Sequence, residues 1–228
     1  MTTSTLSEAK GRAAKPALAA SLILIDRSGV EPRFLMGRRS SAHVFMPNKY
    51  VFPGGKTDAS DRGIKTPHGL DDNAKASFVT AAKAATIALS AIRETYEETG
   101  LLIGLPSPFQ AKSQDWQIFT DLAHAPNLSA LTYVARAITP PGLKRRYDTR
   151  FFACFRDHAV VTAHSGGDEL ENLVWPTYGE TKDLDLPNIT RSILSDVFNR
   201  LTIDPTLQSS HEIPTYQQRY GKYIRSVT

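Results

Sequence analysis

An α+β fold is what this chain predicts, on three observations. Short apolar runs bounded by Gly, Pro, Asn, Asp or Ser read as strands at 17–26, 33–37, 131–138 and 150–155. Two stretches, 74–99 and 187–201, have helical composition, the first rich in Ala. The strands look mostly antiparallel, and strands of that kind mixed with helices belong to the α+β class.

Taken in order, residues 1–14 are rich in Ser, Thr, Ala and Lys and read as a terminal tail. Strands 17–26 and 33–37 follow, separated by the turn-prone Ser28-Gly29. A linker from Arg38 to Lys49, carrying Phe45, Met46 and Pro47, leads into a short strand that ends at Phe52 before Pro53-Gly54-Gly55. Residues 56–73 are studded with Asp, Gly and Pro and read as a loop. The stretch 74–99 forms either one long helix or a short helix ahead of a main one, and Gly100 supplies the left-handed residue that ends helices. A strand at 101–103, a helix at 115–124 and the strands 131–138 and 150–155 come next, with Pro140-Pro141-Gly142 breaking between the last two. A strand at 159–163 leads to the Gly166-Gly167 turn, 171–176 is another, and 187–201 is helical. The rest, with Tyr216, Tyr220 and Tyr223, has no clear period. The organisation expected is a tail over 1–14, one domain over 15–202 with an insertion at about 62–85, and a C-terminal tail over 203–228.

Composition narrows the class. A length of 228 residues is ample for a buried core, and 41% hydrophobic with 22% charged residues excludes a disordered or fibrous chain. The net charge of +4 agrees with an anionic small ligand without requiring nucleic acid. Basic residues cluster at Arg38-Arg39 and at Lys144-Arg145-Arg146 with Arg150, so Arg38, Arg39 and Arg150 are candidate phosphate contacts. Cys154 is the single cysteine and reads as a buried strand residue in a reducing, cytoplasmic setting. The apolar stretch 17–25 follows basic residues as a secretory signal would, yet Asp26 and Arg27 come at once without a small-residue cleavage pattern. It is too short to span a bilayer and reads as a core strand.

The chemistry concentrates in Arg93-Glu94-Thr95-Tyr96-Glu97-Glu98-Thr99-Gly100-Leu101. With a helical period of 3.6 residues, Glu94, Glu97 and Glu98 share one stripe, while Ala85, Leu89, Ile92 and Tyr96 fall opposite and face a core. Like charges at these spacings destabilise a helix by roughly 0.2–0.5 kcal/mol per pair. Arg93 offsets part of this from four residues before Glu97, and the cluster as a whole calls for a cation. Hard divalent ions take oxygen ligands through a few carboxylates together with substrate phosphates, a role that suits Glu97 and Glu98 best. Upstream, Phe52-Pro53-Gly54-Gly55 offers a tight turn and close backbone approach to a ligand.

These two segments together resemble the Nudix box: Gly, five residues, Glu, seven residues, then Arg-Glu-hydrophobic-x-Glu-Glu-x-Gly-hydrophobic. Here five residues separate Gly55 from Asp61, which stands in place of Glu, Thr95 takes a position that is usually hydrophobic, and 31 residues separate Asp61 from Arg93. That long gap leaves Asp61 without an assigned role. The resemblance implies an α/β/α sandwich with a mixed central sheet, and a magnesium- or manganese-dependent hydrolase that splits the pyrophosphate of a nucleoside diphosphate linked to another moiety. It also implies that Glu97 and Glu98 hold the metal, that Glu94 serves the metal or its water network, that Arg93 orients them, and that the Gly55 carbonyl adds a ligand. The general base is left between Glu169 and Glu171, with Asp168 in the same polar loop.

The long insertion and the framing of the glycine turn look like the branch that includes coenzyme A diphosphatases. The coenzyme A signature has Arg and Gly where this chain has Val44 and Asn48. ADP-ribose, NADH and other dinucleotides are alternative substrates, and a non-catalytic nucleotide-binding or regulatory module on the same fold is the alternative of another class. Partners are a small phosphoanhydride and neither membrane nor specific nucleic acid, with a homodimer left open. Gly55-Lys56-Thr57 imitates the end of a P-loop, but Tyr50 stands where its first glycine belongs. There is no Gly-x-Ser-x-Gly elbow, and the histidines, His158 and His164 among them, lack zinc-type pairing.

Overall fold

The computed structural model describes residues 15–41, 46–78, 80–161, 166–167, 169–209, 211–219 and 222–227. The expected tail 1–14, together with Val44, Phe45, Thr162, Ala163, His164, Asp168 and Tyr220, lies outside the described residues.

The chain opens with β1 (Ala17–Asp26), β2 (Arg33–Phe34), β3 (Met36–Arg39), β4 (Tyr50–Val51) and β5 (Gly54–Lys56). The short helix α1 (Asp72–Ala76) precedes α2 (Ala81–Thr99), followed by β6 (Leu101–Pro106), α3 (Gln117–Asp121) and β7 (His124–Pro126). Then come β8 (Thr132–Ile138), β9 (Tyr147–Phe155), β10 (Ala159–Val161), β11 (Leu170–Val174), α4 (Asn188–Ile203), β12 (Pro214–Arg219) and β13 (Lys222–Val227).

The main sheet runs β13-β12-β8-β9-β1-β2, with β5 also paired to β1. It is mixed: β1–β9 and β12–β8 are parallel and the other pairs antiparallel. Two smaller sheets flank it, β10-β6-β7 and β11-β3-β4. Strand alternation sends successive side chains of β1 to opposite faces. Ala20, Leu22 and Leu24 meet Ala84, Ile87, Ala88, Ala91 and Ile92 of α2, whereas Ile23 and Ile25 join Ile193, Leu194 and Val197 of α4. The result is the expected α+β sandwich of helix, mixed sheet and helix.

The sequence expectations hold in outline and differ in detail. Strand 17–26 forms with those bounds, and α2 ends at Gly100, whose φ is 72° and whose N–H bonds the Tyr96 carbonyl at 2.8 Å. The stretch 33–37 is two strands, because Leu35 turns its N–H to the Leu24 carbonyl. The helix expected to reach His124 stops at Asp121, since Ala123 is left-handed at φ 49° and His124 begins β7. Residues 203–228, expected to be a tail, carry the β12–β13 hairpin, which adds to β8 through Thr215↔Arg136 and Tyr216↔Ala137.

The insertion is integrated rather than looped out. Leu70 and Ala74 enter the core beneath α2, the Phe78 ring packs tilted against Tyr133 with centroids 5.1 Å apart, and the Thr66 hydroxyl donates to the Pro126 carbonyl.

Leu22 is fully buried between β9 and α2. Leu22→Ala is expected to lower stability by about 2–5 kcal/mol, read as a drop in the urea midpoint at unchanged slope.

Candidate active site

The glycine turn is built on β1. Pro53 offers its carbonyl to both the Leu22 N–H and the Ser21 hydroxyl, each at 2.9 Å, and β5 then pairs with β1 through Ala20↔Gly55 and Ser21↔Gly54. Gly54 has φ 151°, and a Cβ there would fall 2.4 Å from the Ala20 carbonyl oxygen. A Cβ on Gly55 would fall 2.4 Å from a carboxylate oxygen of Glu94. At Gly54 the obstacle is backbone and glycine is required, while at Gly55 a side chain would displace the Glu94 carboxylate from its place against the turn.

At the centre lies Arg93, 5% exposed. Its Nε and Nη2 donate to the two oxygens of Asp61 at 2.8 and 3.0 Å, its Nη1 donates to Glu94 at 2.8 Å and Glu97 at 2.9 Å, and Nη2 also reaches the Lys56 carbonyl at 3.1 Å. Burial works against the guanidinium's charge, but the Asp61 hydrogen bonds and the charges of Glu94, Asp61 and Glu97 outweigh it and raise the pKa. Asp61, fully buried, also accepts the Asp58 N–H at 2.8 Å in a capping box. It therefore belongs to the site that the 31-residue gap had removed it from. The signal that could have found it was the five-residue spacing between it and Gly55.

The three glutamates occupy distinct environments. Glu98 is 3% exposed; one oxygen accepts the Gly54 N–H at 2.8 Å and the other, Oε1, is buried without a hydrogen-bond partner. Glu94 is mostly buried beside Gly55, and Glu97 keeps 40% of its side chain exposed. Burial pushes the Glu94 carboxyl up to about 7, with the Glu97 and Glu169 charges adding to it and Arg93 opposing. Burial likewise raises Glu98 well above the ordinary carboxylate range, against the Gly54 hydrogen bond, and raises Glu97 against Arg93.

These residues fit a hard divalent cation. The donors are carboxylate oxygens, the buried Glu98 Oε1 lacks a partner, and two acids are held in a state that a nearby positive charge would relieve. Among the described residues the carboxylates are not already gathered around a single point, since Arg93 holds Glu94 and Glu97 while Gly54 holds Glu98.

A cavity of about 470 Å³ opens beside this cluster, lined by Gly54, Gly55, Lys56, Glu94, Arg39 and Glu169 at the polar end. Ala19, Thr149 and Ala137 are neighbours across three strands and line it too, as do Phe52, Tyr147 and Phe151. Arg145, from the basic cluster between β8 and β9, is part of the same lining.

The remaining candidates divide by geometry. Arg39 and Glu169 pair at 3.2 Å at the cavity, while Arg38 and Glu171 stand opposite each other on β3 and β11 and pair at 3.1 Å. Arg150 is a correction. Residues 147, 149 and 151 of β9 face the cavity, so Arg150 points through the other face, where it binds Asp148 at 2.6 Å and lies over Phe78 at 5.8 Å. Charge clustering in sequence carries no information about that parity.

Comparison with known proteins fits this geometry. No protein-family model matches the chain. It resembles a Nudix hydrolase of Alicyclobacillus acidocaldarius with a TM-score of 0.60 and 25% identity, over 79% of this chain and 90% of that one. The fold is that of the Nudix hydrolases. In sequence the chain is similar to the acyl-coenzyme A diphosphatase NUDT19 of Xenopus laevis, at 28% identity over 53% of this chain and 46% of the relative. The human protein of the same name matches at 29% over 54% and 47%. The chain thus spans about half the length of the curated relatives it matches. Among the described residues of this Nudix fold, no helix is long and apolar enough to cross a membrane. Asn48, where the coenzyme A signature has glycine, sits at φ 61°, a left-handed conformation that Asn tolerates better than other non-glycine residues.

Two outcomes are expected. Asp61→Ala strands a buried guanidinium and should lower stability by about 3 kcal/mol in urea unfolding. Glu94 binds its proton more tightly folded than unfolded, so between about 4.5 and 7 the folded state keeps a proton that the unfolded chain has released. Stability of the metal-free protein should therefore fall as pH rises through that window, by on the order of 2–3 kcal/mol from this group. Carboxyls held low, such as Asp26 at about 2 through its Ser28 hydrogen bonds, titrate below the window. Thermal melts at pH 5.5 and 8 test this, with Glu94→Gln removing that group's share of the difference, Glu97 and Glu98 keeping theirs, and manganese raising the midpoint at pH 8.

Proposed function

We propose that this protein is a divalent-metal-dependent pyrophosphohydrolase of the Nudix type, acting on coenzyme A or acyl-coenzyme A. The observation that carries the reading is Glu94 and Glu98 packed against the Gly54-Gly55 turn with Glu97 held beside them by Arg93, a buried Glu98 oxygen left without a partner, and a cavity edged by cations at Glu94. Similarity to the acyl-coenzyme A diphosphatases supports the choice of substrate, against the departures at Val44 and Asn48 from the coenzyme A signature.

In this reading Glu97 and Glu98 are the principal ligands of magnesium or manganese, with Glu94 and the Gly55 carbonyl beside them. The bound ion supplies neutralisation of phosphate charge and a water of lowered pKa. Arg93 fixes Glu94 and Glu97 through one nitrogen while Asp61 and the Lys56 carbonyl hold its other side, so the carboxylates are oriented before substrate arrives. Lys56 and Arg39 at the cavity contact the diphosphate oxygens. Glu169 is the better candidate for the general base, because it lines the cavity with Glu94 whereas Glu171 does not. Hydrolysis inserts water across the P–O–P anhydride and releases two phosphomonoesters, the 3′,5′-bisphosphonucleoside and the phosphorylated pantetheine arm.

Glu97→Gln and Glu98→Gln are each expected to lower turnover of coenzyme A at least about a hundredfold while leaving the circular dichroism spectrum intact. The wild type should release both products, identified by mass spectrometry, only when magnesium or manganese is present. Turnover in chelator, or near-normal rates in the folded variants, would refute the assignment. ADP-ribose, NADH and diadenosine polyphosphates belong in the same panel.

A further inference from the structure

The cavity beside Glu94 does not end in solid protein. Met46, Ile189 and Tyr216 line it, and the same three residues line a second cavity of about 1080 Å³. The second cavity is bounded by the first half of α4 and by β13, including Asn188, Ser192, Ser195 and Ile224, with Tyr178 beside them. Tyr216 is the fixed member of the partition. The residue is buried, its hydroxyl donates to Asp196 on α4, and Asp196 also accepts Arg225 Nε of β13 at 3.1 Å. Met46 is unbranched and adaptable, the softer side of the same wall.

We propose that the second cavity receives the far end of the substrate's non-nucleotide arm, and that Tyr216 determines how long an arm is accepted. This rests on the coenzyme A reading above, in which the arm is a pantetheine carrying an acyl chain. The lining suits such an arm: Asn188, Ser192 and Ser195 offer partners for amides, and Ile189, Ile224 and Tyr178 offer apolar surface for methylenes. It suits the diphosphate poorly, because Glu94, Gly54 and Gly55 line only the first cavity and the second cavity's own cations are paired away from them. Lys49 is paired with Asp185 at 2.6 Å, Arg225 with Asp196, and Arg191 donates to the Thr181 and Leu184 carbonyls. The cationic lining that faces the carboxylate cluster, Arg39, Lys56 and Arg145, belongs to the first cavity. The cations that face the carboxylate cluster thus lie on one side of Tyr216, and the surface suited to amides and methylenes on the other.

The test measures kcat/KM for butanoyl-, octanoyl- and hexadecanoyl-coenzyme A in the wild type, Tyr216→Ala and Ile224→Trp. Ratios between substrates are independent of how much of each variant is folded, so a loss of stability in Tyr216→Ala does not obscure the result. Tyr216→Ala joins the cavities and should raise the long-to-short ratio at least about tenfold, since each methylene newly buried is worth roughly fourfold. Ile224→Trp narrows the second cavity and should lower that ratio. Tyr216→Phe keeps the ring and loses the Asp196 bond, and should change the ratio less than Tyr216→Ala does. Unchanged ratios in all variants, with acyl-coenzyme A still hydrolysed, would overturn the inference and leave the hydrolase reading standing. Metal-dependent turnover of ADP-ribose with none of any coenzyme A derivative would overturn both.

Discussion

The site depends on one buried guanidinium. Arg93 satisfies a carboxylate that is fully sequestered, Asp61, and with its remaining donors holds Glu94, Glu97 and a backbone carbonyl next to the glycine turn. A buried ion pair is seldom a net source of stability, because desolvation offsets the Coulombic gain. Its effect here is orientation. Without a cation among them, carboxylates at helical spacing would splay apart; with Arg93 in place they are held close to the backbone of that turn.

That arrangement also leaves an excess of negative charge. Arg93 carries one positive charge against Asp61, Glu94, Glu97 and the nearby Glu98, and the buried glutamates respond by holding protons more tightly. A local rule is broken at the place where the fold meets its ligand, as happens at functional sites. The sheet supplies the rest: small residues across β1, β9 and β8 leave room for the cavity, and α4 with the C-terminal hairpin closes the face opposite α2.

Much of this was legible in the sequence. The spacing of Glu94, Glu97 and Glu98, the stop at Gly100 and the β1 run each carry a strong local signal, and the helix end and the strand form with the bounds expected. The hairpin of β12 and β13 was not legible, because Thr215, Gln217, Gln218 and Arg225 mix polar residues into both strands and hide the period of two. Arg150 looked like a phosphate contact because clustering is visible in sequence and strand parity is not; its register with Ala20 turns it toward Asp148 and Phe78. Tyr216 gave no signal at all, since its place beside the cavity comes from a strand added to β8 from the far end of the chain.

The inserted stretch leaves the site at Asp61 and returns to it at Arg93, and those two residues clasp each other. Separation along the chain is thereby uncoupled from separation in space. Closing a loop costs only about 0.6 kcal/mol more for each doubling of its length. Extra chain between the two halves of the clasp therefore carries little entropic penalty, like text inside a fixed pair of brackets, although Leu70, Ala74 and the core face of α2 within it must still pack.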